Sequence, residues 1–538
     1  MRLRHLKIPF FLAIVVSLCC WCLLVVTFTG APTTTIRSSK SYFADVLNRA
    51  RFQKQISPTM MQPQNRMTLP PAPYWRVNST KTDFECLGWR QTGGCSPDGP
   101  REMNEDKPCD AKIEAGTSGY CESIHRPSGQ VVRSFQSTCD GMKYGSHFTC
   151  SQTGYAACAR RWMLTFLSRE FLTYADMPLT YKVRLFQLPV KVSIKKRFDL
   201  SRGVVMAVYP KVMKSAYAAI RRLRDTGCTL PVELWIRLDE MKLDHPVLKL
   251  LTDKYNCFVR EILDEAATHF YVKPYAVYHS AFDQVLLLDC DNFVAVDPTY
   301  LFDTPEFKET GMRDVLADFW SMRKTIFNIH NNSVLWELLG VPFVDMFEQE
   351  SGQVLVDRTM SAEPLRNLMF YSFHEPRLIE LLDMAWGDKD LFRFAWLRAN
   401  QPFHMIQKPP GSAGVKHVTY DLFCGHTMVQ HDPQGNIVFL HRNTYKLTGS
   451  PDAPLIWDHI QQFRLPVADE AYDVRGANGG EVFPDFKRCF GKDTAYEPTF
   501  LLTPLKDFAF GDLEPSILQY AHEAWLLVPD ETEMPEGP

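Results

Sequence analysis

Residues 284–298 read QVLLLDCDNFVAVDP, a short apolar run that ends in two aspartates spaced i, i+2. Val285, Leu286, Leu287 and Leu288 form the unbroken apolar stretch expected of a strand covered on both faces, and such strands belong to parallel α/β sheets. Ligands of those sheets bind beyond the carboxyl ends of the strands. Asp289 and Asp291 stand at that end on one side of an extended chain, so their oxygens can hold a hard divalent cation against a diphosphate. The spacing alone is weak, since a chain this long contains roughly one such pair by chance. A second pair occurs at Asp388 and Asp390, and an Asp-rich turn or a helix cap accounts for either equally well.

The flanking pattern strengthens the first pair. GVVMAVY from Gly203 reads as a strand, KVMKSAYAAIRRLR (211–224) as an amphipathic helix stopped by Gly227, and PVELWIR (231–237) as a second strand. A further helix is expected over His245 to Lys254, and YVKPYAVYHSAF leads as a helix into the aspartate-bearing strand. This is βαβ grammar, a Rossmann-like nucleotide half followed by an acceptor half. No G-x-G-x-x-G accompanies the first strand and no G-x-x-x-x-G-K-[ST] occurs, which argues against a dinucleotide dehydrogenase and a P-loop enzyme.

The N-terminus speaks to location. Arg2, Arg4 and Lys7 precede an apolar run over 8–28, long enough to cross a bilayer core, with residues 1–7 left as a cytosolic tail. An uncleaved signal-anchor is expected, a cleaved signal peptide ending near Gly30 and Ala31 being the alternative. Residues 29–82 are rich in Ser, Thr, Pro and Gln and read as a stem. Both readings put the rest in the secretory lumen, where the sequons at Asn78 and Asn331 would be open to glycosylation. With 59 Lys plus Arg against 62 Asp plus Glu, the net charge of -3 gives no whole-chain reason to expect a nucleic-acid partner.

Seven of the fifteen cysteines, Cys86, Cys95, Cys109, Cys121, Cys139, Cys150 and Cys158, fall within 83–160. In an oxidising compartment that density marks a small disulfide-stapled module, and finger-like zinc spacing is absent. Elsewhere Cys228 with Cys257 and Cys424 with Cys489 are the expected pairs, and Cys290 is expected to be a free buried thiol.

The ordered series RRLRDTGCTLPVELW, KPYAVYHSAFDQVLLLDCDN, DPTYLF, DFW, ESGQVLVDR, GDKDLFRFAW, FCGHTMVQ and FLHRN resembles the fungal-type alpha-mannosyltransferase family, whose members add mannose to glycans in the Golgi. Cys290 departs mildly from the small residue usual between the two aspartates. The resemblance covers roughly 200–450, within a transferase domain drawn at 161–450 and followed by a C-terminal extension at 451–538. It implies a GT-A-like α/β fold, a lumenal domain held at the Golgi membrane as a single-pass type II protein, and retaining transfer from GDP-mannose to a glycan or glycoprotein acceptor with Mn2+ or Mg2+. A UDP-sugar donor is the alternative in the same class. A lumenal glycan-binding protein without transfer activity is the alternative outside it.

On this reading Asp289, Asp291 and His441 of FLHRN bind the metal, with His426 as second choice for the imidazole, and Asp289 also meets the donor. Asp388 accepts hydrogen bonds from donor-sugar hydroxyls and Lys389 offers a cation near phosphate, a helix N-cap at Asp388 being the structural alternative. Glu350 and Gln353 of ESGQ line the sugars, Ser351 and Gly352 allow close backbone approach, and Asp318 of DFW with Trp320 is a further site candidate. Lys408, Arg442 and Arg221 are candidate diphosphate contacts. Asp291, taken as a solvent-facing carboxylate, is expected to matter little to stability.

Overall fold

The structure, a computed structural model, describes residues 83–143, 145–152, 201–313, 329–373, 377–381, 384–442, 444–464, 474–475 and 479–529. The anchor expected at 8–28, the stem at 29–82, Asn78, Cys158, Asp318 and Trp320 lie outside these residues. Among the described residues no helix is long and apolar enough to cross a membrane.

The cysteine-rich segment forms an antiparallel sheet of β1 (Phe84–Gln91), β2 (Gly119–His125) and β3 (Gln130–Ser137), in that order. Its buried aromatic centre is small, with Trp89 edge-on to Phe148 and Phe148 stacked on Phe135. Three disulfides compensate: Cys86–Cys109, Cys95–Cys139 and Cys121–Cys150, closing 23, 44 and 29 residues, and loops of this size are worth about 3–4 kcal/mol each. Glu337 ties the segment down, its two carboxylate oxygens accepting the backbone N–H groups of Phe135 (2.8 Å) and Gln136 (2.9 Å).

The chain then runs through β4 (Arg202–Ala207), α1 (Met213–Asp225), β5 (Val232–Ile236), α2 (Pro246–Lys254), β6 (Cys257–Glu261), α3 (Val272–His279) and β7 (Gln284–Leu288). Ala216, Ala219, Ile220 and Leu223 bury one face of α1, and Gly227, at φ +92°, supplies the left-handed turn beyond its end. Next come β8 (Asn292–Val294), β9 (Met312–Arg313), α4 (Leu335–Leu339), β10 (Gln353–Asp357), α5 (Ala362–Phe373) and α6 (Leu391–Ala399). The last elements are β11 (Gly411–Lys416), β12 (Phe423–His431), β13 (Ile437–His441), β14 (His459–Phe463), β15 (Phe500–Pro504) and α7 (Leu513–Leu527).

Two six-stranded sheets result. The first has the order β9-β10-β7-β4-β5-β6, with β7, β4, β5 and β6 parallel. The expected α/β architecture is present, but β10 lies antiparallel beside β7, so the sheet is mixed. The reason is directional: β10 begins at the end of the sheet where β7 stops, Gln353 facing Leu288. The second sheet, β8-β13-β12-β11-β14-β15, is antiparallel throughout.

Residues 451–538, expected to be an extension, contribute β14, β15 and α7 to this body. β14 covers the edge of β11, and α7 packs on α1. A buried ion pair joins α7 to the end of β13: Arg442 Nη1 lies 2.6 Å from Glu514 Oε1, and Glu514 also accepts the N–H groups of Ile456 and Trp457. The Cys424–Cys489 bridge forms as expected. Cys228 and Cys257 do not pair; both are free and buried, their sulfurs turned to Thr299 Oγ1 (3.5 Å) and the Tyr255 carbonyl (3.3 Å).

Glu514→Ala strands a buried guanidinium and two backbone donors, so we expect a loss of about 3–5 kcal/mol in unfolding free energy. Urea denaturation followed by far-UV circular dichroism measures it, and a change below about 1 kcal/mol would show that α7 is not needed for the fold.

Candidate functional site

The two sheets meet at the aspartates. The chain leaves the first sheet at Leu288 and enters the second at Asn292, so Asp289, Cys290 and Asp291 are the crossing. The N–H of Asp289 donates to the Gly352 carbonyl and the Asp291 carbonyl accepts the N–H of Arg442, both at 2.8 Å. From α1, Ser215 Oγ donates to the Cys290 carbonyl (2.9 Å), while the buried, free Cys290 thiol points at the Ala207 carbonyl (3.0 Å). Burial pushes that thiol well above its ordinary pKa, with Asp289 and Asp291 adding to the effect.

Because Asn292 faces His441 across β8 and β13, the imidazole arrives beside the carboxylates. Ligand-capable atoms of Asp289, Asp291 and His441 all lie within 4.8 Å of one another. His441 Nε2 is 3.2 Å from Asp291 Oδ1 and 3.9 Å from Asp289 Oδ2. Its other nitrogen has no hydrogen-bond partner among the described residues and lies 3.9 Å from Glu350 Oε1. A Cβ on Gly352 would stand 2.6 Å from Cε1 and Nδ1 of that ring, so glycine is what lets the imidazole come this close to the strand entry. Two carboxylates and an imidazole suit a divalent ion such as Mn2+ or Mg2+, and the outward nitrogen near Glu350 supplies the carboxylate neighbour typical of a ligating histidine. The residues fit such an ion.

Two lysines flank the cluster. Lys273 Nζ is 2.8 Å from Asp289 Oδ2 and 3.6 Å from Asp388 Oδ1, and Lys446 Nζ is 3.1 Å from Asp291 Oδ2. Burial works against the charge of Asp291, yet His441 and Lys446 hold its carboxyl well below the usual range. Burial likewise opposes the charge of His441, but Asp291, Glu350 and Asp289 raise it. Asp291 is therefore buried and doubly paired, in contrast to the solvent-facing carboxylate expected from the sequence.

The donor-side candidates converge on the same place. Glu350 accepts the N–H of Gly352 (2.9 Å) and pairs with Lys389 Nζ at 3.3 Å. Despite burial, Lys389, His441 and Lys273 hold its carboxyl down at about 2. Burial pushes Asp388 up to about 6, Lys273 opposing and Asp289 and Glu350 adding. Gln353 meets Asn292 side chain to side chain. Asp388 Oδ2, Gln353 Nε2, Asn292 Oδ1 and Gln349 Nε2 are buried without hydrogen-bond partners among the described residues, so each would be stabilised by a polar group that reached it.

Other candidates lie elsewhere. Asp388 is not a helix cap: α6 begins after Asp390, whose backbone is left-handed (φ 42°) and whose carboxylate pairs with Arg393 and accepts the N–H of Gln349. His426 is stacked on Phe486 at 4.5 Å, outside the cluster, and burial beside Arg442 lowers its pKa to about 3. Arg442 is spent on Glu514, Arg221 on Glu523 and Lys408 on the Gly435 carbonyl. Lys273, Lys446 and Tyr209, which lies two residues past the end of β4 within electrostatic reach of Lys446 and Asp291, were not anticipated. Lys273 is the second residue of the helix leading to the aspartate strand, and a lysine in that place is no signal by itself.

Asp291→Ala should abolish Mn2+ binding and cost the metal-free protein about 3 kcal/mol, because His441 and Lys446 lose a buried partner. Gly352→Ala should weaken Mn2+ at least tenfold by displacing the imidazole. Electron paramagnetic resonance titration of free Mn2+ reads both; wild-type affinity in either variant would remove the metal assignment.

Residues 201–432 match the family described as "Mannosyltransferase putative". The chain is 24% identical over 303 residues to alpha-1,2-mannosyltransferase MNN5 of Saccharomyces cerevisiae, covering 46% of this chain and 51% of that protein. It is 26% identical over 280 residues to alpha-1,2-mannosyltransferase MNN23 of Candida albicans, covering 43% and 46% respectively. The chain thus spans about half the length of these curated relatives. Among solved structures, the apo bifunctional glycosyltransferase WbbM aligns over 39% of this chain and 40% of its own at 15% identity and a TM-score of 0.29. Through residues 201–432, the chain is similar to fungal alpha-mannosyltransferases.

Proposed function

We propose that the chain is a retaining mannosyltransferase that moves mannose from GDP-mannose to a glycan or glycoprotein acceptor. The observation that carries the reading is the convergence of Asp289, Asp291 and His441 at the carboxyl end of β7, in a segment whose relatives are named alpha-1,2-mannosyltransferases. By the same reading the chain is a type II protein of the Golgi membrane with this domain in the lumen.

Asp289, Asp291 and His441 would hold the divalent ion, Mn2+ or Mg2+, which when bound neutralises charge on the leaving diphosphate. Lys446, half-exposed beside Asp291, reaches toward the same diphosphate. The nucleoside belongs over the end of β4 near Tyr209, where ligands of parallel sheets gather. On the opposite side Asp388, Glu350, Gln353 and Lys389 orient the transferred sugar through its hydroxyls. Glu350, held at about 2 by its cationic neighbours, is too weak a base to take a hydroxyl proton near neutral pH. A front-face transfer in which a leaving phosphate oxygen receives the acceptor proton needs no protein base, and this suits the site.

Thermal shift of the purified full-length protein tests the proposal. GDP and GDP-mannose at about 100 times Kd should add roughly 2.7 kcal/mol of apparent stability, only with Mn2+ and not in Asp289→Asn. A shift with UDP compounds alone would change the donor. No shift with any nucleotide would leave a glycan-binding protein.

A further inference from the structure

Two large aromatics stand exposed beside the sugar-side half of the candidate site: Trp386 at 55% and Phe270 at 45% of their full exposure, with ring centroids 6.4 Å apart. Each belongs to a short segment that also supplies a charged site residue. Phe270 is three residues from Lys273, Trp386 is two from Asp388, and Lys273 and Asp388 are themselves paired at 3.6 Å. The loops are held close by Gly387, which has a left-handed backbone (φ +58°) and whose Cβ, if present, would stand 2.7 Å from the Phe270 ring. Any other residue there would drive the ring away.

Exposed aromatic pairs of this kind leave apolar area in water unless a ligand covers them. Their ring faces carry partial negative charge and attract the electropositive C–H bonds on the apolar face of a pyranose. The Trp386 loop continues into Asp388 and Lys389, which pair with Lys273 and Glu350 of the candidate site, so a hydroxyl-bearing ring seated there would lie beside polar groups. An apolar platform rimmed by a few convergent polar groups is the usual make-up of a small-ligand site. A nucleobase is the poorer occupant, because the platform adjoins the Asp289, Lys273 and Asp388 side of the cluster, whereas Tyr209 and Lys446 adjoin Asp291.

We infer that Trp386 and Phe270 form the acceptor platform, on which a pyranose ring of the acceptor glycan stacks so that its hydroxyl faces the donor sugar. This rests on the transferase reading above. Saturation-transfer NMR of an α-linked mannotriose with the full-length protein, Mg2+ and GDP tests it, alongside the GDP thermal shift of each variant. Wild type should give signals concentrated on the C–H face of one sugar ring. Trp386→Ala should lose them, with a rise of roughly tenfold in acceptor KM, while Trp386→Phe, which keeps a ring, restores most of the binding. The GDP shift should persist in both.

Mannotriose signals unchanged in Trp386→Ala and in Phe270→Ala, or absent from the wild type, would overturn the platform while the GDP shift leaves the transferase standing. Loss of the GDP shift together with the sugar signal in Trp386→Ala would assign the ring to the nucleotide and equally overturn it. Absence of a GDP shift in the wild type would instead remove the underlying reading, and the platform with it.

Discussion

One constraint governs the architecture: the chain passes from one sheet to the other within three residues, Asp289, Cys290 and Asp291, and each aspartate is pinned to a different ladder. Asp289 continues the hydrogen bonding of β10 and Asp291 that of β13. Two carboxylates within 4.8 Å repel by roughly 3–4 kcal/mol at an effective dielectric near 20. No single backbone hydrogen bond, worth about 1 kcal/mol, offsets that. The arrangement persists because Lys273 sits on Asp289 and Lys446 and His441 on Asp291, and because both sheets would have to shift to separate the aspartates.

The outlying pieces of the chain act on this junction. Glu514 reaches from α7 to Arg442, the residue after His441, and also fixes the backbone of Ile456 and Trp457. The C-terminal helix thereby sets the path of the strand end that delivers the imidazole. At the other end of the chain, Glu337 caps two N–H groups of β3 from the helix α4, which precedes the Glu350 segment in sequence. Three bridges cross-link the cysteine-rich segment, and Glu337 ties it to α4, which leads in sequence toward Glu350.

How much of this was legible in the sequence depended on whether the pattern was local. The unbroken run Val285 to Leu288, the helix around Ala216 and the strand before Arg237 follow from burial on both faces and from helical spacing, and they stand where expected. His441 could be singled out because it closes an apolar strand in a recognisable motif. Lys273 and Lys446 could not, since a lysine beside an apolar run ordinarily snorkels to solvent. Nothing local shows that it is aimed at a carboxylate from another element. The second sheet was hidden for a related reason: every residue of Phe423–His431 is buried, so the alternation that marks an antiparallel strand is missing. Cys228 and Cys257 looked like partners only by proximity along the chain, and their sulfurs face different neighbours.

The two buried acids Glu350 and Asp388 show how environment divides like groups. Glu350 keeps its charge at about 2 because Lys389, His441 and Lys273 surround it, burial notwithstanding. Asp388, answered chiefly by a Lys273 that it shares with Asp289, is pushed by burial to about 6. A carboxylate locked in its charged form serves as a fixed acceptor for hydroxyl groups, whereas one poised near neutrality can take up or release a proton as charge shifts beside it. That division follows from which lysines each acid can call on, and those lysines are placed by α3 and by the turn before α6. The protonation of Asp388 is therefore tied to the same strand crossing that places Asp289, through the single ammonium group the two hold in common.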